Sequence, residues 1–143
     1  MKADPETEAA SMAVIKQWFE AFTKRDINGV IALFLPEPDV VAIGTGRDEK
    51  CIGPNEIRSI IERAFSQFKD ASVKFVWHSV SAVGSIAFLA ADVVLDIKAN
   101  ERQTSEHLRL TTVLEKRENR WLIAQWHSSV PDSGQKEGQA FAA

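Results

Sequence analysis

Apolar residues near the start of the chain fall at helical spacing. Met12, Ile15, Phe19 and Phe22 recur every three or four residues with Trp18 beside them, which predicts a helix from about Thr7 to Thr23 with one buried stripe. Lys24 and Arg25 complement the negative end of its dipole. Asp26 offers a capping acceptor to a short second helix, in which Ile27, Val30, Ile31 and Phe34 share a face and which Pro36 and Pro38 end. Val40 to Thr45 reads as a strand and Arg47 to Lys50 as a charged turn. Gly53-Pro54 opens a third helix striped by Ile57, Ile60, Ile61, Ala64, Phe65 and Phe68, with proline where no N–H is needed.

After Asp70 the apolar period changes from about 3.6 residues to 2. Four strands follow, over Ser72–Ala82, Ser85–Lys98, Thr104–Lys116 and Arg120–Val130. They are broken at Val83-Gly84, Ala99-Asn100-Glu101 and Arg117-Glu118-Asn119, and such short turns imply an antiparallel meander. Three helical stripes need one sheet face to cover them. The pattern therefore predicts an α+β domain over residues 7–131, with helices against a long, curved, mainly antiparallel sheet. Residues 1–6 and 132–143 are polar and are expected to be flexible.

With 143 residues, 45% apolar and 26% charged, the chain suits one domain with a real core. A net charge of −3 and the lack of a Lys/Arg stripe speak against nucleic acid or an anionic membrane as partner. The single cysteine, Cys51, excludes an intrachain disulfide. The acidic, polar start does not look like a secretory signal, and no apolar run reaches the roughly 18 residues of a membrane span. A cytoplasmic protein is the expectation.

Near the C-terminus stand Trp121, Ile123, His127, Ser129 and Pro131, and upstream Arg109, Thr111 and Val113 on one strand. Asp26 precedes the short helix, Phe34 to Val41 runs into the first strand, and Gly53 leads into the third helix. In order and spacing these resemble the SnoaL-like branch of the nuclear-transport-factor-2-like superfamily, over nearly the whole domain. The ending is also similar to the association domain of calcium/calmodulin-dependent protein kinase. The resemblance implies a cone-shaped, cystatin-like α+β barrel with a pocket at its open end. Superfamily members include polyketide cyclases, ketosteroid isomerases, dehydratases, ligand binders and oligomerisation modules, so it implies a fold more strongly than an activity. Ketosteroid isomerases of this superfamily carry an acid on the strand after the second helix. The comparable stretch here, Val41-Ala42-Ile43-Gly44, has no carboxylate, which speaks against that mechanism.

Strand parity sorts the remaining candidates. His107, Arg109, Thr111 and Val113 share one face, and Trp121, Ile123, Gln125, His127 and Ser129 another. Because the resemblance implies that Ile123 faces the helices, Arg109, Gln125 and His127 are expected in the cone. Arg109 would there hold an anionic or carbonyl-bearing ligand, and His127 would move protons near neutral pH. Asp92 interrupts an apolar run and is read as paired with Arg109 or as a catalytic assistant. Trp18, Phe22, Phe34, Phe65 and Trp77 are candidates for an aromatic lining, and Cys51 for the pocket mouth. His78 and His107 read as surface or interface residues. The three histidines show no metal-ligand spacing, and no GxGxxG, GxxxxGK[ST] or GxSxG motif is present, so neither metal nor cofactor is expected. Three functions follow. One is a small-molecule-binding domain that dimerises through its sheet. The others are an acid/base enzyme using His127, Arg109 and Asp92, and an oligomerisation module without catalysis.

Overall fold

Helix α1 (Pro5–Thr23) starts two residues before its apolar stripe requires. Asp4 is the reason: its carboxylate accepts the Thr7 N–H at 2.7 Å, and Pro5 fills the first helical position. The computed structural model describes residues 1–142. Helix α2 (Ile27–Ile31) is capped in the same way by Asp26, which accepts the Gly29 N–H at 2.9 Å. Strands β1 (Val41–Ile43) and β2 (Lys50–Ile52) form a short hairpin, so part of the expected charged turn is a strand. Helix α3 (Pro54–Phe65) follows Gly53, whose φ of 85° favours glycine. A Cβ there would also stand 3.1 Å from the Pro38 carbonyl oxygen. Gly53 offers no side-chain cap, and Glu56 in the first turn accepts the N–H of Ile52, ahead of the helix, at 2.6 Å.

The four long strands are β3 (Asp70–Val83), β4 (Ile86–Ala99), β5 (Arg102–Arg117) and β6 (Arg120–Ser129). Glu118 and Asn119 both have positive φ, the geometry of a tight two-residue hairpin turn between β5 and β6. The sheet runs β2-β1-β6-β5-β4-β3, antiparallel throughout except where β1 lies parallel to β6. Residues 1–6, expected to be flexible, are tied down. The Ala3 N–H donates to the Val80 carbonyl at 3.1 Å, the Ala82 N–H donates to the Met1 carbonyl at 2.8 Å, and Pro5 and Glu6 are helical.

The concave face packs on the helices. It carries Leu89, Ala91 and Val93 from β4, Leu108, Leu110 and Leu114 from β5, and Ile123 and Trp126 from β6, all buried. Against them lie Ile15, Trp18, Phe19 and Phe22 from α1 and Ile57 and Ile61 from α3. Two bulges break the strict alternation of the strands. In β6 the register passes from Leu114↔Ile123 to Val113↔Gln125, which leaves Ala124 as an extra residue. In β3 it passes from Phe75↔Val93 to Trp77↔Asp92, with Val76 as the extra residue.

The Ala124 bulge decides the facing of β6. Ile123 does face the helices, as expected, but beyond the bulge the inward residues are Trp126 and Ser128. Gln125 and His127 are exposed on the convex side. On β5, Arg109 lies on that convex side too, between buried Leu108 and Leu110.

Candidate functional site

The concave face, α1 and α3 enclose a cavity of about 240 Å³ at the open end of the cone. Its walls are mainly aromatic and aliphatic. Trp126 stacks on Trp18 with ring centroids 4.3 Å apart, and Trp18 stacks on Phe22 at 5.1 Å. Phe34, Ile57, Ile61, Leu95 and Leu108 add to the apolar lining. This packing follows from the sequence locally: Trp18 and Phe22 are one helical turn apart on α1, so their rings lie side by side.

Polar groups are few. Ser128, Thr45 and Cys51 line the cavity, together with two carboxylates, Glu49 and Glu106. Glu49 sits in the β1–β2 turn, where the Gly46 N–H donates to Glu49 Oε2 at 2.9 Å and Arg63 Nη2 lies 3.6 Å from Glu49 Oε1. A Cβ on Gly44 would stand 2.2 Å from Glu49 Oε2, so a larger residue there would displace this carboxylate. Arg63 also makes a two-pronged pair with Asp48, at 2.8 and 3.0 Å, which holds the Asp48 carboxyl below its usual range. Glu106 faces Leu95 across the β4–β5 ladder and is half-buried. Among the described residues it has no ion-pair partner. Burial first, and then the nearby Glu56 and Glu49, push the Cys51 thiol up, so it stays protonated and a poor nucleophile. Trp18, which is buried, leaves its indole N–H without an acceptor among the described residues.

The expected site residues divide between the two faces. Trp18, Phe22 and Phe34 line the cavity, while Phe65 packs on Phe22 at 5.5 Å just behind it. His127, Gln125, Arg109, Asp92 and Trp77 all lie on the convex face, across the sheet from it. Asp92 and Arg109 are direct cross-strand neighbours, yet the guanidinium turns the other way, donating to Ser129 Oγ and the Val130 carbonyl, each at 3.2 Å. Cone chemistry built on His127, Arg109 and Asp92 therefore has no geometry to support it. His78, shifted by the Val76 bulge, faces α1, with its Nε2 3.1 Å from Glu8 Oε1. Among the described residues no three His, Cys, Asp or Glu side chains cluster as a metal site.

Sequence reasoning missed Ser128, Glu49 and Glu106, and put Trp126 on the face turned away from the cone. Glu106 had a signal: it shares strand parity with Leu108, Leu110 and Leu114 and is the one carboxylate in that inward row.

Three helices on the concave side of a six-stranded sheet, closing on a cavity, define a nuclear-transport-factor-2-like domain of cystatin-like fold. The chain belongs to the SnoaL-like domain family, whose model matches residues 12–133. No curated protein matches it by sequence. Among solved structures it is similar to an aromatic ring hydroxylase, provisionally so assigned, from Novosphingobium aromaticivorans. The two share 17% identity and a TM-score of 0.81 over 90% of this chain and 92% of that one. A provisionally assigned scytalone dehydratase from the same organism gives 11% identity and a TM-score of 0.79, over 88% and 85% of the two chains. A provisionally assigned calcium/calmodulin-dependent protein kinase II association domain from Xanthomonas campestris gives 24% identity and a TM-score of 0.76, over 92% and 95%. At these identities the likeness is one of fold. No helix among the described residues is long and apolar enough to cross a membrane.

Proposed function

We propose that this SnoaL-like domain binds a small, flat, apolar molecule in the cone. The observation that carries the reading is the cavity of about 240 Å³ walled by Trp18, Phe22, Phe34 and Trp126. It is slightly below the roughly 300–1,000 Å³ of ordinary ligand pockets, which fits one or two fused rings rather than a larger skeleton. Aromatic walls favour a planar guest through offset stacking. Because Arg109 lies outside the cone, the anion preference it would have supplied loses its source. Indole is a suitable neutral probe. Titrated into ¹⁵N-labelled protein, it is expected to shift the side-chain N–H resonances of Trp18 and Trp126 saturably, while those of Trp77 and Trp121 stay put. If the resonances of Trp18 and Trp126 do not move at millimolar indole, the pocket reading is wrong.

The convex face supports a second property of the same protein, pairing with another copy of this chain. Trp77 is 51% exposed and Phe88 44% exposed on that face. Val76 adds to them, and half-buried Val41, Ile43 and Val113 continue the apolar surface. A large exposed tryptophan is the residue type that most often dominates an interface, and one patch meeting itself gives a two-fold dimer. Sedimentation velocity at micromolar concentration is expected to give a dimer. Trp77→Glu should weaken it by at least about 30-fold, the equivalent of one interface hot spot. A wild-type protein that sediments only as a monomer contradicts this.

A further inference from the structure

The charge around the cavity selects among flat ligands, an inference that rests on the pocket reading above. We propose that the cone takes ligands whose apolar body ends in a protonated amine, and that Glu106 receives it.

Among the described residues, Glu49 and Glu106 are the only charged residues lining the cavity, and no Lys, Arg or His lines it. Glu49 is partly neutralised, since it holds the Gly46 N–H and lies 3.6 Å from Arg63. Glu106 has no such partner among the described residues, and its neighbours in the cavity wall are Leu95, Ile97 and Leu108. A half-buried carboxylate against an apolar wall gives up water without gaining a partner, and a ligand cation restores that loss. A ligand carboxylate would meet two charges of its own sign in surroundings less polar than water. The chemistry is therefore opposite to that expected when Arg109 was placed in the cone.

Three probes share one ring and differ in charge: tryptamine, indole and indole-3-acetate. Their affinities are measured by following the side-chain resonances of Trp18 and Trp126 at pH 7 and low salt. Tryptamine is expected to bind about ten-fold tighter than indole-3-acetate, with indole between them, and added salt should narrow the gap. Glu106→Gln keeps the side chain's shape and should bring the three within about two- to three-fold of one another. Unchanged amide resonances elsewhere confirm that this variant folds. If all three bind the wild type equally, or if indole-3-acetate binds best, the amine preference is overturned while the pocket reading stands. If none binds, both fall. If the preference survives in Glu106→Gln but vanishes in Glu49→Gln, Glu106 is not the acceptor.

Discussion

Trp126→Ala is expected to lower the unfolding free energy by about 3–5 kcal/mol, whereas His127→Ala, one residue on, should stay within about 0.5 kcal/mol of the wild type. Trp126 is buried in the concave face, stacks on Trp18 at 4.3 Å and tilts against Phe19 at 6.0 Å. Truncation removes one of the two tryptophans that β6 contributes to the core and leaves a void joined to the cavity. The loss has two parts, the transfer of a large apolar surface and the broken aromatic contacts, the latter about 0.5–1.5 kcal/mol for a pair. The neighbouring imidazole is exposed and gives up little. Urea denaturation at low protein concentration, where contacts between copies do not contribute, measures both variants. If His127→Ala cost as much as Trp126→Ala, the facing of β6 would be wrong. Indole should also bind Trp126→Ala more weakly, because one wall of the stack is gone.

Leu110→Asp should have a still larger effect and leave the chain mostly unfolded at neutral pH, with Thr111→Asp as its control. Leu110 is fully buried beneath the helices, at 1% exposure, and is directly opposite Ala91 on β4 and Ser128 on β6. An aspartate there loses the transfer energy of the leucine and places a carboxylate in the apolar core. The sum passes about 5 kcal/mol, comparable with the whole stability of a small domain. Thr111 points to the convex side, where an added charge remains in water, so Thr111→Asp should cost about 1 kcal/mol at most. The variant also carries a pH signature. A carboxyl in the core has its folded-state pKa raised above the unfolded value, so the folded form holds the proton more tightly. Stability is then lost as pH rises through the window between the two values and recovered as pH falls. Circular dichroism should show Leu110→Asp regaining structure on mild acidification, while Thr111→Asp shows no such gain. Equal stability of the two variants at pH 7 would contradict the inward row of β5.

Both experiments act on residues one position apart, because facing is where sequence and structure part. The helices were legible. Their stripes, the caps Asp26 and Gly53-Pro54, and the hairpin breaks at Gly84, Asn100 and Asn119 are local signals read by local forces. Leu108, Leu110 and Leu114 were legible as one row of β5, but the opposite row, with Arg109, was the one expected to face the cone. Strand β2 was hidden because three residues beginning with Lys50 carry no apolar alternation. The N-terminal segment was hidden because its order comes from backbone hydrogen bonds to the edge of β3, which side-chain patterning does not reveal.

The candidate site was half legible. Trp18, Phe22 and Phe34 were found because aromatic residues on an amphipathic stripe must face inward. His127, Gln125 and Arg109 were expected beside them on the strength of Ile123, the correct anchor. One extra residue, Ala124, undid the extrapolation for Gln125 and His127, since a bulge adds a residue without adding a pleat. Arg109 was misplaced independently of it, because Ile123 stands opposite Leu114 and so turns the Leu108–Leu114 row of β5 inward. Both faces of β5 and β6 are apolar enough to be covered, so hydrophobicity alone could not reveal the slip. The sequence by itself determined the helices, the long strands and their order, because those rest on periodicities along the chain, and the order of its motifs carried the resemblance to the family. Only the tertiary structure decided which face closes on the cavity, and with it that the cone is lined by carboxylates rather than by an arginine. That choice depends on how β6 sits between β1 and β5, an interaction between residues distant along the chain.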